Sequence, residues 1–195
     1  FRAEDGMRDS VLWLEFRRLL FRSNNAMTMQ KIINNDEKVN EMELALHDKV
    51  TILISKQQPV ATDLRVLIVV LKISSDLERI ADLAVDMAKQ TMRLNEDAVV
   101  KAKKEKIVEM FVRAEKMIAH SLEAFAKSDM LMAQKIAAMD DEVDDLYGEF
   151  IRQLFSLNPN EIEVDQVTQL ASIGRYIERM ADHATNIAEW VVYEV

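Results

Sequence analysis

Asp76-Leu77-Glu78-Arg79-Ile80-Ala81-Asp82 decides the fold, because the chain repeats it in close form at Tyr176-Ile177-Glu178-Arg179-Met180-Ala181-Asp182. Corresponding residues differ by 100 in number, and Pro59 and Pro159 keep the same interval. A second pair of landmarks lies upstream of each motif. Asp36-Glu37-Lys38-Val39-Asn40-Glu41 and Asp140-Asp141-Glu142-Val143-Asp144-Asp145 differ by 104. The second copy has therefore lost four residues ahead of its proline, about one helical turn. Landmarks repeated in the same order indicate an internal duplication, with halves at residues 1–94 and 95–195.

The repeated unit is helical. Around the first motif, Leu77, Ile80, Ala81, Ala84 and Ala88 recur at the three-to-four spacing of a buried helix face. Only 3 Gly and 2 Pro occur in 195 residues, where average usage gives about 14 and 10. A sandwich or barrel needs more turn residues than that. The breaks predict helices over about 7–22, 24–57, 59–93, 100–126 and 129–157, and a sixth ending near 193. Pro59 is expected in the first turn of the third helix. Ser128 is expected to cap the fifth, and Asn158-Pro159-Asn160-Glu161 reads as a capping box opening the sixth. The predicted fold is all-α: two tandem antiparallel three-helix bundles related by the internal repeat. At the interval of 104, Phe1 falls opposite Glu105, inside the fourth helix. With Phe rather than Met at position 1, this predicts a first helix that is shortened and a natural start further upstream.

Composition removes several classes of function. The net charge of -9 opposes general nucleic-acid binding, which needs a basic stripe to displace phosphate counterions. The longest wholly apolar run, Val66 to Leu71, is too short to span a bilayer. With no Cys there is no disulfide, thiolate zinc site or Cys nucleophile, which fits a reducing cytoplasmic setting. Gly6, Gly148 and Gly174 are too scattered for a phosphate-binding loop. The twelve Met residues are expected in the core, with a Met-lined partner groove and a dimer as weaker readings. Lys101, Lys103, Lys104 and Lys106 read as a solvated face, with contact to anionic lipid as the alternative.

Chemistry is most visible in the carboxylates. Glu37/Glu41, Glu78/Asp82, Asp141/Asp145 and Glu178/Asp182 are i,i+4 pairs, and each such pair of like charges costs roughly 0.2–0.5 kcal/mol. Repetition of that cost in both halves asks for a compensating cation. Asp82 continues to Asp86, where the second half has Asn186. The second and third predicted helices are antiparallel neighbours, so their acidic stripes can converge. All-oxygen donors suit Mg²⁺, Ca²⁺ or Mn²⁺, with iron also open. The competing reading is a set of solvated helix faces with local ion pairs to Arg79, Arg175 and Arg179. A ferritin-like di-iron enzyme needs Glu-x-x-His. His47, His120 and His183 are preceded at that distance by Leu44, Met117 and Met180, so the motif is absent.

Gln58-Pro59-Val60-Ala61-Thr62-Asp63-Leu64-Arg65, with Leu71-Lys72-Ile73-Ser74-Ser75 leading into the first acidic motif, resembles the PhoU family of phosphate-signalling proteins. The tandem Glu-Arg-x-Ala-Asp and Val143-Asp144-Asp145-Leu146-Tyr147 fit the same family, over about residues 24 to 195. The resemblance implies tandem three-helix bundles and a non-enzymatic cytoplasmic adaptor. Such an adaptor connects the ATPase subunit of a phosphate ABC transporter with a PhoR-type sensor histidine kinase. It keeps the phosphate-starvation response off, restrains uptake, and meets the membrane only through its partners. The resemblance also implies metal ions or iron clusters (Fe, Mn, Mg or Zn) at Glu78 and Asp82 and at Glu178 and Asp182. Glu37/Glu41 and Asp141/Asp145 would be the remaining ligands, with Asp86 extending the first set.

Three departures from the family pattern stand out. Residues 1–22 match poorly, Val164-Asp165-Gln166-Val167 replaces the Asp-Leu-Arg motif, and Glu41 and Asn40 stand where the second half has Asp145 and Asp144. They imply two metal sites that differ in ion number or affinity. The alternative function is a PhoU-like regulatory domain detached from a membrane phosphate or ion transporter. A metal-dependent oxidase or hydrolase is a third reading, weakened by the missing Glu-x-x-His.

Overall fold

A computed structural model of the chain describes residues 26–95 and 97–194, with side chains from residue 30 onward. The helix expected over 7–22 and the break at Ser23-Asn24 lie outside the described residues. Within them the protein is all-α: α1 (Ala26–Gln57), α2 (Thr62–Thr91), α3 (Ala98–Lys127), α4 (Met130–Phe155) and α5 (Val164–Glu194). The second half is a three-helix bundle in which α3, α4 and α5 all pack on one another. In the first half α1 packs on α2. The halves meet along α2 and α5, the two helices that carry the repeated motif.

Because α5 touches α2, α3 and α4, most of its circumference is buried, leaving one exposed stripe through Arg175, Arg179, Asp182, Asn186 and Glu189. Leu170, Ile173, Ile177, Met180, Ala184 and Ile187 are inaccessible to solvent. Side-chain pairs along the seam fix its direction. The Arg65 guanidinium lies 5.4 Å from the Tyr193 ring centre, the Lys72 ammonium lies 5.7 Å from that of Trp190, and Asp76 meets His183 at 2.9 Å. At the far end the Gln166 side chain donates to the Arg93 carbonyl (3.2 Å) and accepts from the Asn95 N–H (2.8 Å). The helices are therefore antiparallel. Since the repeat relates them by a constant shift, a pseudo-twofold axis crosses the seam near Ile80 and Met180, in the middle of both motifs.

Three helix starts differ from the sequence expectation. Pro59 lies in the α1–α2 connection and not in the first turn of α2, because Gln58 (φ 45°) and Ala61 (φ 49°) reverse the chain on either side of it. Ser128 does not cap α4. It takes the left-handed conformation (φ 48°) that ends α3, and Asp129 caps α4 by accepting from the Met132 N–H at 3.0 Å. At 158–161 the Asn158 N–H does donate to Glu161 Oε2 (3.0 Å), but this closes a turn and α5 begins only at Val164. Burial of Ile162 draws the chain into the core between the two.

Candidate functional site

The register of the core decides which carboxylates face inward. On α1, Ile32 and Val50 are buried and lie in the same helical direction. At 100° per residue this places Asp36 about 40° from them, Glu37 about 140° away and Glu41 on the opposite side. On α4 the buried Ile136, Val143 and Phe150 set the direction. Asp140 and Asp144 then flank the core at about 60° and 100°, while Asp141 and Asp145 point about 160° away. Accordingly Glu37, Glu41, Asp141 and Asp145 are exposed, Asp36 and Asp140 are partly buried, and Asp144 is exposed at the edge of its face. The first four flank from the solvent side two faces whose inner members on these helices are Asp36, Asp140 and Asp144. Those three were missed when the acidic pairs were picked by spacing alone. The signal that finds them is the apolar register on either side.

In the first-half face, Asp36 of α1 meets Glu78, Asp82 and Asp86 of α2. Burial, then the Asp82 charge, pushes the Asp36 carboxyl above its ordinary range, against the pull of Lys89. Glu78 is raised by burial and again by Asp82, with Arg79 opposing. Two cations serve this face from its rim. Arg79 stands 3.6 Å from both Glu78 and Asp82, and Lys89 stands 2.9 Å from Asp86.

In the second-half face, Asp140 and Asp144 of α4 meet Glu178 and Asp182 of α5. The helices approach closely here because Gly174 has no side chain: a Cβ would lie 3.2 Å from the Phe150 ring and 3.3 Å from that of Tyr147. Burial, then Asp144 and Asp182, pushes the Asp140 carboxyl up to about 6. Burial, then Asp182, also raises Asp144 and Glu178. Glu178 is only 9% exposed, and Arg175 Nη1 donates to its Oε1. Its Oε2 is buried without a hydrogen-bond partner, as is Asp36 Oδ1 in the other half, while the Thr185 hydroxyl lies against Asp140 and partly offsets the upward shift there.

Buried carboxylate oxygens without partners are costly, and cations or protons relieve that cost. The donors are oxygens, which suits hard cations. Among the described residues no three His, Asp or Glu groups already converge on one point. An ion held by these carboxylates would have to draw them together by side-chain rotation. In the first half Glu78, Asp82 and Asp86 come together with Asp36, and in the second Glu178 and Asp182 come together with Asp140 and Asp144. No helix among the described residues is long and apolar enough to cross a membrane.

A PhoU domain model matches residues 17–91 and 107–191, one match in each half of the repeat. The phosphate-specific transport system accessory protein PhoU homolog of Clostridium acetobutylicum is 37% identical over 164 residues, covering 83% of this chain and 74% of that protein. Its counterpart in Caulobacter vibrioides is 31% identical over 167 residues, covering 85% and 73%. Among solved structures, PhoU from Pseudomonas aeruginosa superposes with a TM-score of 0.79 at 28% identity, covering 100% of this chain and 98% of that one. The phosphate transport system regulatory protein PhoU from Streptococcus pneumoniae gives 0.81 at 26% identity, with 95% and 88% covered. Duplicated sequence, helix order and backbone lead to one assignment: the chain belongs to the PhoU family.

Proposed function

We propose that this chain is an accessory protein of phosphate-specific transport that works as a cytoplasmic adaptor and not by turnover. It binds the ATPase subunit of the transporter and a PhoR-type sensor histidine kinase, and holds uptake and the phosphate-starvation response down while phosphate is sufficient. An adaptor signals through a difference in affinity between partner states. Association as a homodimer would present two copies of each surface. The names carried by its relatives support the transport role.

The observation that carries the reading is the pair of half-buried carboxylate faces, set on either side of the α2–α5 seam. Asp36, Glu78, Asp82 and Asp86 would hold metal in the first half, and Asp140, Asp144, Glu178 and Asp182 in the second. Glu37, Glu41, Asp141 and Asp145 would flank them. A bound Fe, Mn, Mg or Zn ion would supply the positive charge that the four-carboxylate face lacks. The chain's own contribution is to hold the donors on rigid helices, α1 against α2 and α4 against α5.

Two measurements test the proposal. Elemental mass spectrometry on protein purified without chelator or affinity metal should find bound metal that an Asp82→Ala, Asp182→Ala variant loses. Equal content in both removes metal from the proposal. Native pull-down at high and low phosphate should recover the transporter ATPase and the kinase. Recovery of neither, under either condition, sinks the adaptor role.

A further inference from the structure

The repeat duplicated the carboxylates and, in Arg79 and Arg179, the cation within the motif, but not the other cations beside them. Glu78 and Asp82 have Glu178 and Asp182 as counterparts, whereas Arg175 stands where the first half has Ser75, and Lys89 corresponds to Glu189. Each half has therefore acquired its own compensation. In the first, Arg79 and Lys89 stand at the rim, Arg79 at 3.6 Å from either carboxylate. In the second, Arg175 reaches in and hydrogen-bonds the buried Glu178 directly. Glu178 is the one acidic residue of either face that is nine-tenths buried, and its Oε2 still lacks a partner. Arg175 thus acts on Glu178 and Asp144 and satisfies one oxygen of Glu178.

We propose that Arg175 is the built-in counter-ion of the second-half face: it holds Glu178 until a divalent cation arrives, and that cation must displace it. This rests on the reading that the face takes a cation. Two effects then act in the same direction. The guanidinium repels an incoming positive ion, and its hydrogen bond to Glu178 must break before that oxygen can serve as a donor. Arg175 consequently sets how tightly the face holds an ion, and half of its side chain is solvent-exposed, leaving room to swing away.

The test uses Mn²⁺ alone and isothermal titration of the full chain, on an Asp82→Asn background so that the second-half face is read. Arg175→Gln should tighten Mn²⁺ binding about fivefold or more, since two unit charges at about 4 Å in water repel by a factor of about five and the ion carries two. Lys116→Gln, which makes the same change in net charge at an exposed site on α3, should leave binding unchanged. Affinity that is unchanged or weaker in Arg175→Gln, with binding still abolished by Asp182→Asn, overturns the inference and spares the cation reading. Binding that Asp182→Asn does not reduce overturns both. Melting without divalent ions gives a readout independent of loading. Arg175→Gln should melt lower than its parent, and Glu178→Gln added to it should recover part of the loss. A variant that melts higher shows that the guanidinium compensates nothing, and the inference falls.

Discussion

Burial, then Asp144 and Asp182, and last Asp141 make the charge on Asp140 costly, and only the Thr185 hydroxyl opposes them. The Asp140 carboxyl therefore binds a proton more readily in the folded chain, with a pKa of about 6, than in the unfolded chain, near 3.8. Between those values the native state carries more protons than the unfolded state, so stability falls as pH rises through the window. Asp36, Glu78, Asp144 and Glu178 are shifted in the same direction. In chelator, stability measured by denaturant should rise as pH drops from 7 towards 5. Asp140→Asn should raise the melting temperature at pH 7, by roughly 2–4 °C for each kcal/mol relieved, and flatten this pH dependence. A wild-type stability that falls on acidification over that range contradicts the sign. At the same scale the sequence offers two interleaved acidic pairs, Asp140/Asp144 and Asp141/Asp145, which spacing alone cannot separate. The choice rests on Val143 and its apolar neighbours, whose burial turns Asp140 and Asp144 towards α5 and Asp141 and Asp145 away from it.

Helix against helix, the second-half face depends on how closely α4 approaches α5, and Gly174 sets that distance. A Cβ there meets aromatic rings at 3.2 to 3.3 Å, which are held by the core on both sides. Gly148, on α4, would place its Cβ 3.4 Å from the far end of the flexible Arg152 side chain and near nothing else. The two glycines thus predict opposite outcomes. Gly148→Ala should stabilise by up to about 1 kcal/mol through helix propensity alone. Gly174→Val should cost about 1–3 kcal/mol by forcing the helices apart. Urea unfolding of the two variants checks both, and equal effects would mean that the close approach is not what Gly174 provides. Element existence was readable in advance, because apolar periodicity runs through every described helix. The ends were harder. Ser128 and Asp129 are both good capping residues, and only the left-handed turn that ends α3 assigns the cap to Asp129. Glu161 does reach back to the Asn158 N–H, but its own N–H bonds the Asn158 backbone carbonyl in a turn, and the burial of Ile162 follows before the helix begins.

At the scale of the whole molecule, the duplication is visible in the sequence, but the way the halves join is not. A shift of 100 says that two helices are alike and nothing about whether they touch. Their pairing departs from the repeat close to the axis. Asp76 and His183 hydrogen-bond across the seam at 2.9 Å, with side chains 14% and 18% exposed. Their counterparts under the pseudo-twofold are Tyr176 and Leu83, which cannot form such a bond. This side-chain-to-side-chain hydrogen bond therefore has no counterpart on the other side of the axis, where Gln166 bonds the backbone at Arg93 and Asn95 instead. The Asp76–His183 contact lies two residues from Glu78 and next to Asp182, between the carboxylate faces. Removing one partner leaves the other buried and unpaired, so Asp76→Ala and His183→Ala should each cost about 1–3 kcal/mol. The double variant removes both needs together and should cost less than the sum by about 0.5–3 kcal/mol. Denaturant unfolding of the four proteins at one pH gives that coupling directly. A strictly additive cycle would mean that this bond adds nothing to how the two faces are fixed relative to each other.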